Sequence, residues 1–263
     1  MKLIPLYLLV GMLAVSGWAE NAKPEPLSPD MVENPEAQIK LGKSYYHGDG
    51  VVKNHKEAVK WFTKAAQQGS PKGQWCLGLC YYKGEGINKD YKEAVKWFTK
   101  SAEQGDEDGQ QMLGVCYYEG EGVSKDCKEA IKWFTKSAEQ GDKYSQGWLG
   151  FIFYEGKGIA QDFQKAVRWL MKSAEQGDDV AQYRLGVCYN QGEGVPQDYK
   201  EAVKWFTKSA EQGNEGGEYG LGLCYYKGEG VPQDNKEALK WFTKAAAQGN
   251  VRALEAVKAI KSK

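Results

Sequence analysis

The chain has 263 residues, of which 41% are hydrophobic and 27% charged, so its composition is that of a globular protein and excludes collagen-like and disordered classes. Its 35 Lys and Arg residues balance 35 Asp and Glu residues. A protein that mainly neutralises a nucleic-acid backbone needs a cationic excess, so the charge balance argues against nucleic acid as a partner. Glycine is over-represented, with 32 residues.

The first residues have the pattern of a secretory signal peptide, which we assign to residues 1–19. Lys2 supplies the positive start, an apolar run follows, and Gly17 and Ala19 are the small residues that a signal peptidase requires. The run is too short to span a bilayer. We therefore predict an exported protein, periplasmic or secreted; the alternative is a loosely packed first helix. Residues 20–33 contain three prolines and are predicted to form an extended linker.

A repeat of 36 residues begins at Asn34 and occurs six times without insertions. A Leu-Gly pair and a Trp recur in all six copies, and so do the glycines at the positions of Gly42, Gly48, Gly50 and Gly69. A period of this size indicates stacked supersecondary units. The six copies are residues 34–69, 70–105, 106–141, 142–177, 178–213 and 214–249.

Each copy is predicted to form two helices, here called helix A and helix B. In the second copy, Ser70 precedes a proline and caps helix A, whose pattern ends at Gly84. Helix B begins with a D-x-x-E capping box, in which Asp90 binds a backbone N–H group and Glu93 reaches back to another. Gly105 is expected to end helix B in the left-handed region.

A glycine in the middle of helix A, as at Gly42, costs about 1 kcal/mol relative to Ala and therefore needs a packing reason. We predict that it lets helix A lie against helix B, with the Trp column of helix B filling the space beside it. The expected fold is all-α, a right-handed α-solenoid of six 36-residue helix-turn-helix repeats. Residues 250–263 look like another helix A without its Leu-Gly pair, and are predicted to form a polar-faced C-terminal capping helix.

The repeat pattern resembles the Sel-one-like repeat (SLR) family, a branch of the tetratricopeptide-like solenoids. The Leu-Gly, Tyr-Tyr, Gly-x-Gly, Asp-x-x-Glu-Ala and Trp-Phe motifs carry the resemblance over residues 34–249. It implies a scaffold that holds proteins or peptides on a concave surface. The secreted cysteine-rich Helicobacter branch joins helix B to the next helix A by a disulfide, and some of its members are described as penicillin-binding or weak β-lactamases. Ala66 and Gln74 stand at those positions here, which argues against membership of that branch.

Six cysteines in an exported chain normally suggest disulfides. Four of them occupy one column, where like positions lie about 9–10 Å apart, one helix layer, whereas a disulfide requires Cα atoms within about 7 Å. We interpret these four as small buried residues, with some pairing as the alternative. Cys76 and Cys127 are candidates for exposed thiols. The four column members are Cys80, Cys116, Cys188 and Cys224.

No residue pattern in the chain is typical of an enzyme. His47 and His55 are the only histidines, too few for a His-rich zinc site, and neither G-x-S-x-G nor S-x-x-K occurs. The Gly84–Gly86 segment, Gly-Glu-Gly, superficially resembles a phosphate loop, but it follows a helix and is better interpreted as a tight turn. We predict a non-enzymatic protein without metal or cofactor. The alternative, from the Helicobacter resemblance alone, is an envelope hydrolase or binding protein for β-lactams.

A partner-binding surface is predicted on helix A. Its variable positions, those of Glu36, Ile39, Lys43 and His47, share one helical face, and a column of tyrosines runs beside them. The resemblance places this face in the concave groove, and aromatic residues often anchor interfaces. The alternative is that the aromatic rings are half-buried core. The candidate residues are Trp75, Tyr82, Tyr118, Tyr144, Tyr154, Tyr183, Tyr219 and Tyr226.

Helix B carries a second candidate surface, here called the basic stripe. Lys or Arg occupies two positions, four residues apart, in all six copies. A stripe of this kind is typical of surfaces that bind anionic envelope glycan or lipid, and the alternative is a solvated face interleaved with Glu. The lysines assigned to it are Lys60, Lys64, Lys96, Lys100, Lys132, Lys136, Lys204 and Lys208.

Overall fold

A computed structural model describes residues 33–262 of the chain. The predicted signal peptide and all but the last residue of the predicted linker lie outside this range. The described residues form helices and turns, without strands, and none of these helices is long and apolar enough to cross a membrane. The helices are α1 Pro35–His47, α2 His55–Gln67, α3 Pro71–Lys83, α4 Tyr91–Glu103, α5 Glu107–Glu119, α6 Cys127–Glu139, α7 Lys143–Glu155, α8 Phe163–Glu175, α9 Asp179–Gln191, α10 Tyr199–Glu211, α11 Glu215–Lys227, α12 Asn235–Ala247 and α13 Val251–Lys261.

The helices group into two compact units. The N-terminal unit contains α1–α6 and ends at Gln140, and the C-terminal unit contains α7–α13 and begins at Gly141. Within each unit, every helix packs against its neighbours along the chain, as expected where each repeat contacts only adjacent repeats. Helix A is odd-numbered and helix B even-numbered. The predicted all-α solenoid of six helix pairs is confirmed, and its right-handed twist stays a prediction.

The helices begin and end at the predicted capping residues. The Ser70 hydroxyl oxygen accepts the Gly73 N–H at 3.2 Å at the start of α3. Gly84, which follows α3, has a φ of 77°, and Gly105, which follows α4, has a φ of 91°. A side chain would be strained at both positions. Local sequence therefore determines where each helix starts and stops.

The capping box differs from the prediction in its second half. Asp90 accepts the N–H groups of Lys92 and Glu93 at 2.9 and 3.0 Å, as expected. However, Glu93 does not reach back to the Asp90 N–H, because that group already donates to the carbonyl oxygen of Tyr81 at 3.0 Å. Glu93 instead pairs with Lys96 at 2.7 Å. The chain between helix A and helix B folds back on helix A and satisfies this donor itself.

The glycine in the middle of helix A lies in close contact with helix B, as predicted. The ring beside it, however, is that of Phe and not that of Trp. A Cβ atom on Gly78 would lie 2.7 Å from Cε1 of Phe98. Phe98 is fully buried, whereas Trp97 is half-buried. Adjacent helical residues differ in direction by about 100°, so only one of the two can face the glycine. Leu170 takes the place of Phe opposite Gly150.

The helix after the last repeat, α13, packs on α12. Its Ala253 and Val257 are buried. Its outer face is less polar than predicted, because Val251 is 66% and Leu254 45% exposed. Leu254 stands at the position where the six repeats have Gln or Glu.

Candidate functional site

The predicted binding residues of helix A differ in accessibility between the two units. In the N-terminal unit, Trp75, Tyr82 and Tyr118 are buried, with at most 8% of each residue exposed. The tyrosines of the C-terminal unit are half-buried. The accessible part of the predicted surface therefore lies in the C-terminal unit and consists of Tyr144, Tyr154, Tyr183, Tyr219 and Tyr226.

The tyrosine column joins successive repeats through its hydroxyl groups. Tyr154 donates to the carboxylate of Glu193 at 2.7 Å, and Tyr82 donates to the carboxylate of Glu121. Each acceptor is the central residue of the Gly-Glu-Gly turn in the next copy, 39 residues later. Tyr46 donates to a third such residue, Glu85. Burial, and next the bond to this carboxylate, raise the pKa of these tyrosines above its ordinary value.

The second position of the Gly-x-Gly turn has no room for a residue larger than glycine. A Cβ atom on Gly86 would lie 2.2 Å from the carbonyl oxygen of His55, the first residue of the preceding helix B. Gly194 approaches the carbonyl oxygen of Phe163 in the same way. The Gly-Glu-Gly segment is thus a tight turn, as predicted, and it is held to the preceding repeat by its glycine and its glutamate. The recurrent Tyr and Glu columns were the signal for this contact, which sequence reasoning missed.

A buried ladder of glutamine pairs, also missed from the sequence, joins helix A to the residue that follows helix B. Gln104, after α4, donates to Oε1 of Gln74 at 2.8 Å. Gln74 is 5% exposed and donates to the carbonyl oxygen of Ala66 at 3.4 Å. The Gln74 side chain thus reaches the backbone of helix B in the preceding repeat. In the sixth copy, Glu218 replaces the glutamine and accepts from Gln248 at 2.9 Å.

Half-exposed rings form the centre of the accessible surface, on α9 and α11. Tyr183 packs against Phe206 with ring centroids 6.1 Å apart, and Tyr219 packs against Phe242 at 5.6 Å. A Cβ atom on Gly216 would lie 3.0 Å from the ring of Tyr183, so the glycine brings α11 close to that ring. Both tyrosines rest on core rings and leave part of their surface open. Such rings present a large contact area with few rotatable bonds.

The acidic cluster at the start of α5, Asp106 to Asp108, contains the N-terminal cap of that helix. Asp106 accepts the Gly109 N–H at 2.9 Å. Lys72 lies 2.5 Å from Asp108 and 3.3 Å from Asp106, and its ammonium group lies 5.6 Å from the centre of the Trp75 ring. These contacts balance the acidic charges within the N-terminal unit.

Both columns of the basic stripe have partners within their own helix. Lys60 lies 2.5 Å from Glu57, and Lys96 pairs with Glu93, the capping-box residue. The second column lies over the Trp of helix B, as Lys64 does at 4.1 Å from the centre of the Trp61 ring. The cation–π contact recurs in all six copies. Glutamates therefore offset part of the charge of the stripe, whose ligand binding stays a prediction.

The cysteines are buried, as predicted for the four-member column, and all six are free. The prediction that Cys76 and Cys127 are candidates for exposed thiols is wrong, since they are 4% and 9% exposed. Cys76 belongs to the core of the N-terminal unit, and Cys127 begins α6 at the position where Tyr91 packs against Tyr82 in the preceding copy. Burial raises the pKa of the Cys76 thiol to about 12, which disfavours the reactive thiolate.

Residues 33–262 contain no group of three or more His, Cys, Asp and Glu side chains that fits a metal ion. The geometry instead offers accessible aromatic rings on rigid helices, which suits binding.

Comparison with known proteins identifies the repeat. The model of the Sel1 repeat family matches six segments, residues 35–70, 71–106, 108–142, 143–178, 179–214 and 217–250. The solved structure of a Sel1 repeat protein from Oxalobacter formigenes is 37% identical, with a TM-score of 0.76 over 83% of this chain and 88% of that one. No curated protein matches the chain significantly.

Two further solved structures are similar to parts of the chain. A protective antigen of uropathogenic Escherichia coli strains, described as displaying an SLR fold, is 36% identical over 86% of this chain, with a TM-score of 0.64. The match spans 56% of the length of that antigen. Helicobacter pylori cysteine-rich protein B is 27% identical over 50% of this chain and 94% of its own, with a TM-score of 0.41, too low to carry an argument about activity.

Proposed function

Since the chain belongs to the Sel1 repeat family, whose members are typically protein–protein interaction scaffolds, we propose that it is an exported scaffold that binds a protein or peptide through the concave face of helix A. The observation that carries this proposal is the accessible aromatic surface of the C-terminal unit. Tyr183 and Tyr219 stand at positions that vary among the copies and lie half-exposed on neighbouring A helices.

The repeat comparison supports this choice of surface. Buried positions that hold the helices together, such as those of Leu185 and Gly186, have the same residue in all six copies. Tyr183, two residues earlier, corresponds to Ile, Trp, Gln, Gly and Tyr in the other copies. The fold accepts any of these side chains, so a tyrosine here is available for contact with a partner.

Export is part of the proposal and has separate support. Residues 1–19 have the three parts of a signal peptide. The similar E. coli protein is described as a protective antigen, which fits a location outside the cytoplasm. Fractionation of the native host, with determination of the mature N-terminus, tests this part. Cleavage after Ala19 supports export, and an intact N-terminus in the cytoplasmic fraction contradicts it.

Affinity capture tests the binding surface. The exported chain is used to retain proteins from envelope and extracellular fractions, beside a groove variant with Tyr183→Ala and Tyr219→Ala. The matched control carries Tyr189→Ala and Tyr225→Ala, which remove two half-buried tyrosines from the same helices at other positions. All three proteins are compared by circular dichroism and melting temperature.

We expect one protein to be retained by the wild type and the control and lost by the groove variant. Equal retention by the wild type and the groove variant would contradict the assignment of the surface. If that retention is also released by salt, the basic stripe becomes the better candidate, because charge-driven binding weakens steeply with ionic strength.

A further inference from the structure

Arg184 stands on α9 at a helix A position that holds a buried side chain in the three preceding copies, the exposed Lys40 in the first copy and Gly220 in the last. In the three preceding copies this position is at most 4% exposed. Placing an arginine there costs desolvation energy unless its charge and its N–H groups find partners. The corresponding residues of those copies are Cys76, Met112 and Trp148.

The C-terminal unit does not supply those partners. The Arg184 guanidinium lies over the ring of Phe151, 4.5 Å from its centre. The nearest carboxylate, Glu155, is 4.0 Å from Nη1, beyond hydrogen-bonding distance, and it also pairs with Lys157 at 2.9 Å. Nε is buried and has no hydrogen-bond partner. An apolar residue at this position would therefore stabilise the fold at least as well as Arg184 does.

The guanidinium is nevertheless within reach of a ligand. The side chain is 22% exposed. Arg184 follows Tyr183 in the chain and lies near Tyr154, and both tyrosines belong to the accessible aromatic surface. An arginine fixed by an aromatic ring on one face presents its N–H edge in a defined direction, which suits a carboxylate.

We propose that Arg184 binds a carboxylate of the peptide partner, while Tyr154, Tyr183 and Tyr219 hold its neighbouring apolar side chains. The inference rests on the proposed function and narrows the partner to a segment that presents an Asp or Glu side chain, or a free C-terminus, beside apolar residues. Charge complementarity selects this occupant, because Arg184 is a cation whose Nε has no hydrogen-bond partner and whose nearest carboxylate is 4.0 Å away.

The variant Arg184→Met separates this role from a structural one. Methionine restores the buried apolar character of the position, so the melting temperature of the variant is expected to stay equal to that of the wild type or to rise. Carboxylate recognition is expected to be lost. As a matched control, Arg252→Met removes one positive charge from an exposed position of α13 in the same unit.

The test uses the full chain as cells produce it and an array of short peptides of randomised sequence. The peptides come in pairs that differ only in Asp or Glu against Asn or Gln, and each pair is made with a free and with an amidated C-terminus. A charge-assisted hydrogen bond corresponds to about a tenfold preference or more for the carboxylate member. We expect this preference in the wild type and in Arg252→Met, and its loss in Arg184→Met.

The outcomes of this test separate the role of Arg184 from the proposed function. A preference that disappears on C-terminal amidation assigns the carboxylate to the peptide terminus, and one that persists assigns it to a side chain; both support the role of Arg184. Binding that requires Tyr183 and Tyr219 but is equal for acids and amides would overturn the role of Arg184 and leave the proposed function standing. If the wild type retains no peptide, the result contradicts both the role of Arg184 and the proposed function of this surface.

Discussion

Replacing Gly78 by Ala is expected to destabilise the N-terminal unit, although the same exchange in an open helix would stabilise it. Alanine is better than glycine in a helix interior by about 1 kcal/mol. The structure opposes this gain, because the new Cβ would lie 2.7 and 2.8 Å from two ring carbons of Phe98 and 3.3 Å from the carbonyl oxygen of Ala94.

The free-energy cost of this close contact depends on how far the Phe98 ring can move. Carbon atoms in contact are normally about 3.5–4.0 Å apart, so each ring contact is too short by roughly 1 Å. Phe98 is 0% exposed, and the ring has no open space to turn into. Overpacking of a core by one such group costs about 1–3 kcal/mol. We therefore expect a net loss of up to about 2 kcal/mol from Gly78→Ala.

Urea denaturation followed by far-UV circular dichroism measures this loss as a lower midpoint at an unchanged slope. A double-mutant cycle identifies its cause. In a Phe98→Val background, which removes both ring carbons, Gly78→Ala should become neutral or stabilising. Gly105→Ala serves as a control for backbone strain, since nothing lies within 4 Å of its Cβ position. A stabilising effect of Gly78→Ala in the wild type would refute the close-contact reasoning.

Two further predictions concern single polar groups. Tyr82→Phe removes the hydroxyl bond to Glu121 and should cost about 1–2 kcal/mol; a cycle with Glu121→Gln measures the coupling, and additive losses would contradict the contact. Burial raises the pKa of Asp178 to about 6, above an unfolded value of about 3.9. Stability linked to its protonated form is therefore present below about pH 4 and lost as pH rises through 6. Asp178→Asn, the residue type at Asn214 in the next copy, should raise the free energy of unfolding at pH 7 by about 1–2 kcal/mol and change little at pH 4; equal effects at both pH values would show that ionisation is not the cause.

Much of the fold could be predicted because helix formation and capping are local. The residues that start and stop α3 and α4, such as Ser70, Asp90 and Gly105, lie next to the backbone groups they satisfy. The 36-residue period then indicates that one helix pair is stacked several times. Even here, the second half of the capping box was wrong, since the Asp90 N–H found a backbone partner in Tyr81, nine residues earlier.

The binding surface could be predicted only in part. The variable face of helix A followed from comparing the copies, but the sequence did not reveal that Trp75 is buried while Tyr183 stays half-exposed. Both residues occupy the same repeat position. Their burial depends on the residues packed against them, such as Lys72 on the same helix as Trp75 and Gly216 on the helix next to Tyr183.

The sequence by itself determined the repeat, the helix boundaries and the glycine contact between helix A and helix B, because these depend on neighbouring residues and on a strict period. Only the tertiary structure decided that Phe98 and not Trp97 fills that contact, that Tyr82 is bonded to Glu121, and that Nε of Arg184 is buried without a hydrogen-bond partner. The first fact depends on side-chain direction within one helix pair, and the other two depend on residues that meet only when the repeats stack.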